Sequence, residues 1–266
     1  MRVFRTLCFQ SLLLLLVAAY ASCKPKMKEA PSSLMVFAAA SLSDVMAEVG
    51  DEFERSRGSA VEFNFSGSNT LAQQMAATDR ADVFLSANQE WMSWAVSKGE
   101  ILESSIKDIA LNQLAVVSDP AFTMEATSWS DIKSSDVEKL VIADPRGVPA
   151  GQYAKRWMER HGVWESLSDS VVPTTDVRAV MAVVRSTKMS IGIVYSSDLA
   201  NGVDRLGTLF SSNEDDDLNI RYQGGLSLKE SLHPLAGDFL SFLGSEEGCS
   251  IFRKHGFIVE EGDQDD

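Results

Sequence analysis

Four short apolar runs, residues 34–37, 83–85, 140–143 and 191–195, alternate with helix-like segments, and this alternation predicts an α/β fold of parallel sheets covered by helices. The 233 residues after Ser33 in a chain of 266 suffice for one large domain or two lobes. A third observation concerns the joints. Strand-like runs repeatedly pass into helix-like ones through turns of small residues, and open α/β sheets bind ligands at those strand ends.

The first such turn is Ala38-Ala39-Ala40-Ser41-Leu42. Its small side chains let backbone N–H groups and the Ser41 hydroxyl approach a ligand, and a helix start leaves those donors without intrahelical partners. Ser41-x-x-Asp44 also reads as a variant capping box. The next helix carries an apolar stripe of Leu42, Val45, Met46, Val49 and Phe53 that predicts core. Residues 61–65 alternate like a half-buried strand and lead through Ser66-Gly67-Ser68-Asn69-Thr70 into a second helix, with the Ser68 hydroxyl at its mouth. Asn88 opens a segment whose Trp91, Trp94 and Ala95 read as core. Residues 140–143 run through Asp144-Pro145-Arg146-Gly147 and Val148-Pro149-Ala150-Gly151 into a helix from Gln152 to about Arg160, stopped at Gly162, with Ala150 at the first turn. Thr174-Thr175-Asp176-Val177-Arg178 opens a helix with Val177, Val180, Met181 and Val184 on one face. Asp176 suits its cap, and the Val177 amide is an unpaired first-turn donor. The run 191–195 ends in Tyr195, either a core aromatic or a donor.

Val36-Phe37-Ala38-Ala39-Ala40-Ser41-Leu42, Ser68-Asn69-Thr70-Leu71-Ala72, Ala81-Asp82-Val83-Phe84-Leu85-Ser86-Ala87-Asn88, Val148-Pro149-Ala150-Gly151, Asp176-Val177-Arg178 and Gly192-Ile193-Val194-Tyr195-Ser196-Ser197-Asp198 together resemble the periplasmic molybdate-binding proteins of ABC-type importers, from about Val36 to Val259. The resemblance implies a two-lobed, hinged periplasmic-binding-protein fold of type II with ligand between the lobes. It implies an oxyanion held by Ser41, Ser68, Ala150, Val177 and Tyr195, and delivery of molybdate or tungstate to a membrane permease by a monomer. Ser66-Gly67-Ser68-Asn69 departs from the serine run of several relatives. The expected division is a first lobe of residues 34–115 and 223–266 around a second of 116–222, with crossings near 114–117 and 221–225.

Elementary chemistry says why such a set suits a tetrahedral dianion. Each helix start offers roughly half a positive charge with oriented N–H donors, so no lysine or arginine is required. Hydrogen phosphate carries an O–H that needs an acceptor, whereas molybdate, tungstate and sulfate want donors alone. Another oxyanion such as sulfate or thiosulfate is the alternative ligand. No enzyme activity is expected: neither serine lies in Gly-x-Ser-x-Gly, and no histidine is near them in sequence. No cofactor is expected, and molybdenum would be held as its oxyanion without direct metal coordination.

Arg2 and Arg5 before an apolar run at 12–21 read as a signal peptide of residues 1–22. Tyr20-Ala21-Ser22-Cys23 resembles a lipobox that would lipidate Cys23, with residues 23–33 as tether and a membrane-anchored, periplasmic or cell-surface location. Cleavage near Ala21 to a soluble secreted protein is the other reading. Cys8 leaves with the signal, so the domain keeps Cys249, read as a small buried hydrophobe. His161, His233 and His255 lack metal-ligand spacing. Removing residues 1–22 takes away two arginines and no acids, moving the formal charge from −14 to −16, which argues against nucleic acid as a partner. The cluster Glu214-Asp215-Asp216-Asp217 and the acidic tail read as solvated surface.

Overall fold

In the computed structural model of the chain, which describes residues 33–119, 122, 125–200 and 206–260, ten strands form two five-stranded sheets. The first contains β1 (Leu34–Ala39), β2 (Val61–Ser66), β3 (Val83–Ser86), β4 (Lys107–Asn112) and β10 (Ile220–Leu226), ordered β2-β1-β3-β10-β4. The second contains β5 (Leu114–Ser118), β6 (Lys139–Ala143), β7 (Val171–Thr174), β8 (Ser190–Tyr195) and β9 (Gly207–Ser211), ordered β7-β6-β8-β5-β9. Each sheet with its helices is one lobe.

The sheets are mixed rather than all parallel, and the path of the chain explains it. β1 pairs in parallel with β2 and β3, and β6 with β7 and β8. β10 runs antiparallel to β3 and β4, and β5 antiparallel to β8 and β9. Each crossing thus delivers one strand that opposes the parallel core. The chain leaves the first sheet at Asn112, enters the second at Leu114, leaves it at Ser211 and returns at Ile220. Residues 114–117 and 221–225, expected as crossings, therefore lie within strands. All five residues of β5 are buried, and an apolar run of that kind satisfies its backbone as an interior strand rather than as a linker.

The helices are α1 (Ser43–Arg57), α2 (Ser68–Ala77), α3 (Gln89–Ser97), α4 (Pro149–Arg160), α5 (Trp164–Leu167), α6 (Val177–Ser186), α7 (Ala236–Leu243) and α8 (Glu246–Lys254). Both apolar stripes are buried, and Phe53 of α1 meets Phe239 of α7 edge-on at 5.1 Å. In the second lobe Trp157 of α4 packs edge-on against Trp129 and Phe210. α4 begins at Pro149 rather than Gln152. Proline at the first helical position loses no hydrogen bond, so the turn itself becomes helix.

Three expectations about burial change. Glu214–Asp216 is a 3-10 turn inside the second crossing, and Asp216 is buried there. Burial pushes its pKa up, but hydrogen bonds from His161 Nε2 at 2.6 Å and the Asn213 amide at 2.8 Å win and hold it below the usual carboxylate range. Cys249 is half-buried, and burial raises its thiol pKa. Trp91 and Trp94 are only partly covered. Among the described residues no group of His, Cys, Asp or Glu is placed to hold a metal ion. The expected signal peptide, Cys8, Cys23 and the tether before Ser33 lie outside the described residues, as does the tail beyond Glu260.

Candidate functional site

The ends of β1, β2, β6, β7 and β8 carry the turns singled out above, and the structure brings them together. Ser41, Ser68, Ala150, Val177 and Tyr195 all line one small cavity, with Gly67, Val148, Pro149 and Asp176 among the neighbouring turn residues.

Each donor is placed by local structure. β1 ends in a 3-10 turn, Ala40–Leu42, that continues directly into α1, so the Ser41 amide is a first-turn donor. No side chain caps α1. The capping-box reading of Ser41 gives way, because its Oγ lies 2.9 Å from the Tyr222 hydroxyl and Asp44 pairs with Arg178 at 3.0 Å. Ser68 opens α2 after Gly67, and its Oγ accepts the Ala87 N–H at 3.0 Å, which leaves its own hydrogen to donate. A Cβ on Gly67 would meet the Thr175 carbonyl of the other lobe at 3.1 Å, so glycine permits the close approach.

In the second lobe Pro149 is the first residue of α4, and Gln152 N–H is the first to bond back, to Val148. The Ala150 and Gly151 amides are therefore first-turn donors. Asp176 caps α6 by accepting from Ala179 N–H at 2.9 Å, and the Val177 amide beside it stays unpaired within the helix. Tyr195 is the last residue of β8 and is 1% exposed, yet its hydroxyl has no hydrogen-bond partner of acceptable geometry among the described residues. Burial first, and then Tyr222, Tyr153 and Asp198, push its pKa well above that of a free phenol, so it remains a donor.

Four further residues shape the site and were not legible as such. Arg178 reaches across the cleft to Asp44 and the Ala40 carbonyl and lies 3.5 Å from Asp198, so its charge is balanced by carboxylates. Trp91, read as core, donates Nε1–H to the Gly147 carbonyl of the other lobe at 2.7 Å. Tyr222 contacts Ser41, and Asn112 contacts Tyr222 and Ser197. A signal for Trp91 was its helix position behind Asn88; nothing local marks Tyr222 or Asn112.

This arrangement offers hydrogen from several directions and, among the described residues that line it, no cation. Residues 34–258, spanning both lobes, match the family described as bacterial extracellular solute-binding protein. The chain belongs to that family. It is 33% identical to the molybdate-binding protein ModA of Escherichia coli over 235 residues, covering 85% of this chain and 89% of that one. ModA of Haemophilus influenzae is 28% identical over 243 residues, covering 87% and 92%. The periplasmic molybdate-binding protein of Azotobacter vinelandii shares the fold with a TM-score of 0.77 at 16% identity, covering 86% of this solute-binding protein and all of that chain. The sulfate-binding protein SubI of Mycobacterium tuberculosis shares it too, with a TM-score of 0.71 at 12% identity and coverages of 85% and 86%. The fold alone therefore does not choose the anion.

Proposed function

We propose that this solute-binding protein captures molybdate, and tungstate with it, outside the cytoplasm and presents it to an ABC importer. The observation that carries the reading is the convergence of Ser41, Ser68, Ala150, Val177 and Tyr195 on one small cavity, with a buried Tyr195 hydroxyl that has no hydrogen bond of acceptable geometry among the described residues. Identity to molybdate-binding relatives over nearly the whole domain supports molybdate as the anion. Its role is binding rather than catalysis, and it acts as a monomer. Cys23 is proposed as the lipid anchor, and Cys23→Ala should free the protein from membranes; retention would reject that part.

The physical case is one of donors. A hydrogen bond to a charged group contributes about 1.5–3 kcal/mol net, so a full shell outweighs the entropy of binding and reaches the roughly −8 kcal/mol of micromolar affinity. Isothermal titration with molybdate, tungstate, sulfate and inorganic phosphate tests it. Molybdate and tungstate are expected at micromolar affinity or tighter, sulfate much weaker and phosphate weakest. Tighter binding of sulfate than of molybdate would move the assignment to a sulfate receptor.

A further inference from the structure

The Ser41 hydroxyl lies 2.9 Å from the Tyr222 hydroxyl, and that distance alone lets either donate. The surrounding bonds favour one direction. Asn112 Oδ1 accepts backbone N–H groups from Gln113 at 2.9 Å and Ser197 at 3.4 Å, which fixes its side-chain amide with Nδ2 pointing the other way. Nδ2 donates to Ser197 Oγ at 2.8 Å and to the Tyr222 oxygen at 3.5 Å. The Tyr222 oxygen accepts from Asn112, and when its own proton goes to Ser41 Oγ the Ser41 hydrogen is free for the cavity.

We propose that Tyr222, held by Asn112, is a positioning residue that fixes the Ser41 hydroxyl as a donor into the cavity and so sets the preference for fully deprotonated oxyanions. The proposal rests on the oxyanion reading of the site. Ser68 has the same polarity by a different route, since the Ala87 amide occupies its acceptor side. Asp176, the carboxylate on the cavity wall, is engaged by the Ala179 amide and the Thr175 hydroxyl. A protonated anion thus meets hydroxyls that point hydrogen at it, while the Asp176 carboxylate that could accept from its own O–H already takes two hydrogen bonds. Burial and the nearby Asp198 raise the Tyr222 pKa, so the relay keeps its proton across the neutral range. Asn112 ends β4 in the first lobe while Ser197 follows β8 in the second, so this polarity is completed when the lobes sit as they do here.

Tyr222→Phe removes the proton but keeps the ring between Tyr195 and Phe257, which it meets at 5.7 and 5.4 Å. The experiment is a double-mutant cycle with Ser41→Ala, read by calorimetric titration with sodium molybdate and with inorganic phosphate at about pH 8. Tyr222→Phe should weaken molybdate about tenfold and lower the molybdate-over-phosphate preference by a similar factor. In the Ser41→Ala background the same change should cost less than about twofold, because the hydroxyl it positions is gone. Asn112→Ala, which lets the Tyr222 proton turn away, should reproduce the fall in preference and serves if Tyr222→Phe does not fold. Equal weakening in both backgrounds, or an unchanged preference, overturns the relay while leaving a molybdate-binding parent intact. A parent protein that binds no molybdate overturns the functional reading itself, and the relay with it.

Discussion

A buried hydroxyl without a well-formed hydrogen bond costs about 1–3 kcal/mol, and among the described residues Tyr195 holds one on the cavity wall. Such a cost is tolerable where a ligand supplies the missing acceptor, so stability and binding should respond to Tyr195→Phe with opposite signs. Without ligand the variant should be as stable as the parent or up to about 1 kcal/mol more so, while molybdate binds about tenfold or more weakly. Thermal unfolding and calorimetry check the pair, and parent-like binding would remove Tyr195 from the site. Burial raises the pKa of Tyr195 and Tyr222, and that of Tyr153 to about 12. Their neutral forms are therefore favoured in the fold: this stability is fully present below the unfolded phenol pKa of about 10 and is lost as pH rises through the raised values. Tyr195→Phe should accordingly lessen the alkaline loss. At this scale Ser41, Ser68, Ala150 and Val177 could be read from sequence because small residues at a strand-to-helix joint have a local meaning. Tyr222 could not, since its partner lies 181 positions away and its own strand looks ordinary.

Among the elements, α4 shows how tightly backbone is placed to present an amide. A Cβ on Gly151 would fall 2.0 Å from the Ala143 carbonyl oxygen and 2.6 Å from its carbon, both backbone atoms of β6. Backbone cannot rotate away as a side-chain tip can, so Gly151→Ala must push the helix start off the strand and carry the Ala150 amide with it. The expected cost is about 1–3 kcal/mol of stability together with at least about tenfold weaker molybdate binding. Ala150→Gly, which keeps the N–H, should lose no more than about 1 kcal/mol of stability and bind nearly as the parent. Binding unchanged in Gly151→Ala would show that the α4 amides do not hold the anion. Of the strands in the parallel cores, β1, β3, β6 and β8 were legible as apolar runs and β2 as an alternating one, as was the Gly162 stop of α4, whereas the four residues of β7 were too short a signal. The strands delivered by the crossings were not, because an apolar run such as Leu114 to Val117 carries no mark of which way it runs or which sheet it joins.

At the scale of the whole molecule, the lobes meet around the cavity through polar contacts and through the packing of Tyr195 on Tyr222 within a core that is continuous across both lobes. Arg178 pairs with Asp44, Trp91 donates to the Gly147 carbonyl, and Gln152 accepts from Asn88 at 3.0 Å while donating to Glu90 at 3.1 Å. Of these the Arg178–Asp44 ion pair is partly exposed and contributes about 0–1 kcal/mol, so it holds closure only weakly by itself. An anion bonded by both lobes adds differential affinity for the closed state and shifts the population toward it. Small-angle scattering should therefore show a smaller radius of gyration with saturating molybdate than without. Trp91→Phe keeps an aromatic side chain but removes the indole N–H that bonds to Gly147, so it should weaken molybdate about two- to tenfold, mainly through faster release. Stopped-flow dissociation separates that from a loss of donors, because the cavity wall itself is untouched by the change. An unchanged scattering profile together with a parent-like release rate would mean that the lobes are already locked without the anion, and that the five donors, not closure, govern how long it stays bound.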